Sequence, residues 1–154
     1  MKNSRYLFLV STGEFDFGGI AEFNRRLKTI LESDGTVKIV YTGKFHEEIF
    51  FRRICRIISC FIEFIKSYYF FRPTVIVFGH IGQLLPYYLP LSLITRGFDS
   101  ILIIHGIDAW SRRIPKIISH RFIRQIWSVS RFTADRFIAQ NQHLASIVRI
   151  ISNP

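Results

Sequence analysis

The stretch "ILIIHGIDAW", residues 101–110, decides the fold. Ile101 to Ile104 form a short, unbroken apolar run, with the β-branched content of a strand buried on both faces. Such strands belong to parallel sheets covered by helices, where the polar residues after each run gather along one edge and form the ligand site. Here the residues that follow are His105, Gly106 and Asp108. The stretch therefore predicts an α/β layer and a site at the end of one of its strands.

Working outward, short apolar runs alternate with longer segments of helical period. Six strands are expected: Tyr6 to Ser11, Val37 to Thr42, Thr74 to Phe78, Ser100 to Ile104, Gln125 to Val129 and Ile147 to Ile151. Between them Ile20 to Ser33, 46–71, 83–96, 112–122 and Arg131 to Asn141 read as crossover helices. Ser130 stands where its hydroxyl can cap the free amides of the last one. No repeat, low-complexity tract or composition shift divides the 154 residues. One α/β domain over 1–154 is expected, a Rossmann-like parallel sheet of about six strands with helices on both faces.

The segments after the strands are "STGEFDFGG", "GHIGQ", "HGIDAW" and "SRFT", following strands one, three, four and five. All are polar or glycine-bearing, and in this fold they meet at one rim. Gly18 and Gly19 immediately precede a helix, where bare backbone amides can approach an anion at the positive helix end; a simple turn pair is the other reading. The spacing from Gly13 to Gly18 does not spell Gly-x-Gly-x-x-Gly, and no Walker lysine follows. His105 reads three ways: a core histidine, a metal ligand, or a polar contact to a substrate. Its place at a strand end, three residues before Asp108, favours the last. His80, in "FGHIGQ", is a second strand-end histidine, and it too has a structural reading. His, Cys and carboxylates nowhere cluster at ligand spacing, so no metal is expected.

Lys and Arg number 21 against 11 Asp and Glu, a net charge of +10, which favours an anionic partner: nucleic acid, an anionic membrane face or a phosphorylated ligand. The basic residues are spread along the chain rather than gathered on one recognition element, and nucleic acid is not expected. Cys55 and Cys60 lie five apart in one predicted helix, poor geometry for a disulfide, which suits a reduced, intracellular protein. The first residues lack a signal-peptide core, and Glu63 and Lys66 interrupt the longest apolar stretch before it could span a bilayer. That stretch, "EEIFFRRICRIISCFIEFIKSYYFFR", is the most unusual in the chain. Arg52, Arg56, Ser59, Glu63 and Lys66 make one polar stripe, and the remainder, including Phe61, Tyr68 and Tyr69, is wider than one sheet contact needs. A membrane-surface or partner-binding helix and a thoroughly buried crossover helix both fit.

In order and spacing, "FDFGGIAEFNRRL", "IVFGHIGQLLP", "ILIIHGIDAW", "IWSVSRFTADRFI" and "IVRIISNP" resemble the N-terminal domain of the family 4 glycosyltransferases, which have the two-domain GT-B fold. The resemblance covers nearly the whole chain, and "HGIDAW" and "VSRFTADRF" are its most specific parts. It implies a retaining glycosyltransferase that moves a sugar from a nucleotide-sugar donor to a saccharide or lipid-linked acceptor. Such an enzyme would serve cell-surface polysaccharide or glycolipid synthesis in the cytoplasm, peripheral to the inner membrane face. Gly18 and Gly19 match the loop near the donor diphosphate, and His105 the histidine that contacts the donor sugar. His80, Asp108 and Ser130 are placed at the acceptor cleft. Nucleotide-sugar is substrate, and no cofactor is implied. The family's donor-binding domain, with its two glutamates eight apart, has no counterpart here: Glu14 and Glu22 have that spacing but flank the first glycine loop. The chain is thus expected to be a truncated gene product, an excised domain or one half of a split enzyme whose second glycosyltransferase half is another polypeptide, and to be catalytically incomplete alone. A non-catalytic binding or scaffold module, and a small nucleotide-binding domain unrelated to sugar transfer, are the alternatives.

Overall fold

The computed structural model describes residues 4–11, 17–42, 50–88, 99–106, 114 and 123–151. Six strands, β1 (Ser4–Val10), β2 (Gly35–Tyr41), β3 (Val75–Phe78), β4 (Asp99–Ile104), β5 (Gln125–Ser128) and β6 (Val148–Ile150), form one sheet in the order β2-β1-β3-β4-β5-β6. Every pairing is parallel, so all C-terminal strand ends lie along one edge. The fold is Rossmann-like α/β.

Alternation along each strand separates two cores, as period-two side-chain geometry requires. Leu7, Leu9, Ile76, Phe78, Leu102, Ile104 and Ile126 face one side. Phe8, Val10, Val77 and Ile103 face the other. Helix α1 (Gly19–Asp34) closes the second side with Phe23, Leu27 and Leu31, a four-residue spacing that places them on one helix face. Helix α2 (Phe50–Phe71) and helix α3 (Arg131–Gln140) close the first side through Phe64 and Phe137. This division follows from handedness: the chain steps from β1 to β2 in one direction and from β2 onward in the other, so right-handed crossovers fall on opposite faces.

Some expected boundaries change. The strands β1 and β2 begin two residues earlier than expected, at Ser4 and Gly35, and β6 shrinks to Val148–Ile150 because a 3₁₀ segment, Gln142–Ile147, takes up the residues before it. Instead of an α-helix from 83, a 3₁₀ turn, Ile81–Gln83, leads into a π-helical segment, Leu84–Tyr88. Pro86 has no amide to offer the carbonyl four residues back, which disfavours regular α-helix there. The rest of the 83–96 segment, the proposed 112–122 helix apart from Ile114, and the start of the 46–71 helix before Phe50 lie outside the described residues. Both cysteines are free, and both lie in α2. Among the described residues no helix is long and apolar enough to cross a membrane.

Candidate functional site

Strands β1 and β3 are neighbours whose onward connections leave toward opposite faces, α1 on one and the 3₁₀ turn on the other. The crevice opened at such a switch point is where α/β sheets bind ligands. On the α1 side of this edge, Gly19, Ile20, Phe23, His105, Gly106 and Val129 line a hollow of about 330 Å³. Three sequence segments far apart in the chain thus converge: the start of α1, the end of β4 and the end of β5.

The imidazole of His105 is 7% exposed and the ring of Phe23 is 4% exposed. They meet edge to face, centroids 5.0 Å apart and planes at 85°. A T-shaped contact between two rings this buried holds the imidazole in one orientation. Phe23 stands one helical turn from Gly19, on the same face of α1, which is why both reach the hollow.

The start of α1 is bare. Gly18 occupies the N-cap at φ 116°, a left-handed conformation that favours glycine, and contributes no side-chain cap. The amides of the first turn have no intrahelical acceptors, and the helix dipole adds partial positive charge there. Gly19 is different: its φ is ordinary, and a Cβ built on it meets nothing within 4 Å. The fold does not require glycine at this position. What its absent side chain does is leave the hollow open down to the backbone. Just beyond, Glu22 accepts from Arg25 at 2.8 Å and from Arg26 at 2.7 Å. These two guanidinium groups hold its carboxyl below the ordinary range.

Of the residues singled out in the sequence, Gly18, Gly19 and His105 are brought together at this rim, Gly18 at the cap and the other two in the lining. His80 and Ser130 serve their own turns. His80 Nδ1 accepts from the Gly82 amide at 2.9 Å, and the Gln83 side chain accepts from the His80 amide at 3.2 Å, a reciprocal cap. Gln83 then donates to Thr42 Oγ1 at 2.9 Å, and Thr42 donates to the Val10 carbonyl at 3.1 Å. This buried chain ties together the C-terminal ends of β1, β2 and β3. Ser130 Oγ accepts from the Thr133 amide at 3.1 Å and caps α3, a side-chain cap that Gly18 does not give α1. Asp108 lies outside the described residues, as does the side chain of Arg52.

On α2, Arg56 and Tyr69 are exposed, while Phe61 and Tyr68 pack partly against the core. Sequence reasoning missed Ile20, Phe23 and Val129 as site residues. Apolar residues at helical or strand period read as core, and only the four-residue step from Gly19 to Phe23 hinted otherwise. Among the described residues, no group of three or more His, Cys, Asp or Glu is placed to hold a metal.

No family model and no curated protein matches the sequence. A solved structure does match: that of Anabaena Alr3699/HepE in complex with UDP and glucose, with a TM-score of 0.58 at 17% identity. The match covers 98% of this chain and 44% of that one, so this chain spans less than half the length of the protein it resembles. At this identity the likeness is one of fold: the six-stranded parallel layer seen here is also found in a larger protein that binds a nucleotide and a sugar.

Proposed function

We propose that this chain is the N-terminal, acceptor-side domain of a retaining family 4 glycosyltransferase with the GT-B fold, acting on a nucleotide-sugar donor and a saccharide or lipid-linked acceptor in cell-surface polysaccharide or glycolipid synthesis. The observation that carries the reading is the shared hollow, where a buried, ring-braced histidine faces an uncapped helix start whose first residue is a glycine the fold does not need. UDP and glucose, the ligands of the Anabaena protein, have the chemistry this pairing suits. As a glycosidic bond to a diphosphate breaks, negative charge collects on the phosphate oxygens. Fixed amides at the start of α1 stabilise that charge without reorganising. In this reading His105 contacts the sugar being transferred, and Phe23 braces its ring.

In this reading the donor's nucleotide is held mostly by a second domain, on the same or another polypeptide, and this chain alone binds it weakly. The test is calorimetric titration of uridine and guanosine diphosphates and their sugars into the chain, alone and then with the donor-binding half. Binding and turnover only in the mixture are expected. In the complete enzyme, His105→Ala should lower turnover by about 100-fold or more. Tight nucleotide binding by the chain alone, or near-normal turnover of the variant, would contradict the reading.

A further inference from the structure

We infer that the outer face of α2 is a docking surface for an anionic lipid bilayer, on which the helix lies flat. Ile54, Ile58, Ile62 and Tyr69 are each between 38 and 56% exposed, and Phe70, at the helix end, is 87% exposed. At 3.6 residues per turn the first four fall within a single arc along the helix, making one continuous apolar row. This row is not the face that packs on the sheet. Most core contacts belong to a different arc, where Phe64 and Ser67 are buried and Cys60, Phe61 and Tyr68 lie partly against the core; Ile65, which falls within the row, is half-buried and joins the two.

Charge identifies the partner. The α2 sequence holds four cations, Arg52, Arg53, Arg56 and Lys66, against the single anion Glu63, and Arg72 follows directly. Arg56, Glu63, Lys66 and Arg72 are all exposed. On the strand that α2 covers, Lys38 is exposed and lies on the same side of the sheet as Val40. An apolar row bordered by cations, ending in Tyr69, Phe70 and Arg72, is the pattern of a helix lying at a lipid interface. Anionic headgroups complement the cations, whereas a second copy of this chain would bring another +10 against them.

The geometry also leaves the proposed active site open. Cys60 Sγ lies 3.5 Å from the Tyr41 carbonyl at the C-terminal end of β2, so Phe50 to Ser59 continue past the sheet edge by about 15 Å. The hollow beside His105 lies on the opposite face of the sheet. A bilayer against α2 would therefore leave it unobstructed. This inference stands whether or not the glycosyltransferase reading holds.

The test is co-sedimentation of the purified chain with vesicles of phosphatidylcholine, with and without phosphatidylglycerol, at low and high salt. Binding to the phosphatidylglycerol vesicles that weakens with salt is expected. The double variant Ile58→Ser, Ile62→Ser should lower the partition coefficient by about tenfold or more, because each change removes exposed apolar surface from the contact. Ile30→Ser, the same change at a half-exposed position on α1, should leave it unaltered. A polarity-sensitive dye on the exposed Cys55 of the otherwise unaltered chain should shift to the blue on binding, independently of how the variants fold. Absence of binding, binding that survives in the double variant, equal and salt-independent binding to both vesicles, or an Ile58- and Ile62-dependent dimer in solution would each overturn the proposal.

Discussion

Asn141→Ala should destabilise the chain by about 2–4 kcal/mol, because the side chain makes two buried bonds and only one of its partners keeps a substitute. Asn141 is fully buried at the C-cap of α3. Its Oδ1 accepts from the Ile114 amide at 2.7 Å, which anchors the connection between β4 and β5, and its Nδ2 donates to the Phe137 carbonyl at 3.1 Å. The Phe137 carbonyl also accepts from the Asn141 backbone amide at 3.0 Å, so removing the side chain costs it little beyond the net worth of one bond, about 0.5–1.5 kcal/mol. The Ile114 amide loses its acceptor, and an unsatisfied buried donor costs about 1–3 kcal/mol. In urea denaturation, with a slope of about 2 kcal/mol/M, the midpoint should fall by about 1–2 M at unchanged slope. Gln142→Ala, at the exposed neighbouring position, should stay within about 0.5 kcal/mol of the parent. If Asn141→Ala were equally silent, the bond to Ile114 would not be anchoring the β4–β5 connection.

Gly19→Ala should leave the urea midpoint unchanged or raise stability by up to about 1 kcal/mol, since alanine suits a helix and its methyl meets no protein atom, yet it should abolish turnover in the complete enzyme. Gly18→Ala, forced to a φ of 116°, should instead cost roughly 1–3 kcal/mol in the same measurement. Gln83→Leu should cost about 1–3 kcal/mol, read as a loss of thermal or urea stability, because it strips the His80 amide of its acceptor and unties β3 from Thr42. Alkaline pH should also weaken the fold. Burial pushes the Tyr87 phenol above its ordinary value near 10, helped by the adjacent Cys60 thiol, and burial pushes that thiol above its ordinary value near 9. Groups whose pKa rises on folding hold their protons more tightly in the folded state. Their stabilisation is complete below the unfolded values and drains away as pH climbs from about 9 upward. Tyr87→Phe should flatten the fall of the urea midpoint above pH 10; an identical fall would show that the phenol is not its source.

How much of this molecule its sequence determined can be judged element by element. The apolar runs gave strands because a two-sided buried strand leaves no other economical reading, and three of the five expected crossover helices, α1, α2 and α3, followed from helical period. Ser130 is legible as a cap because capping is local: one hydroxyl and an amide three residues on. Gly18, Gly19 and His105 could be placed at a rim because strand ends in a parallel sheet share one edge. What tertiary structure alone decided is which rim residues face one another. His80 and His105 look alike in the chain, but Gln83 and Gly82 engage the first in its own turn, while α1 brings Phe23 against the second. The wide apolar face of α2 likewise fitted either a buried helix or a surface one. Only the packing, which covers Phe64 and leaves Ile58 and Ile62 in solvent, distinguishes them, because helical period reports how many apolar faces a helix has but not how many the sheet beneath it can cover.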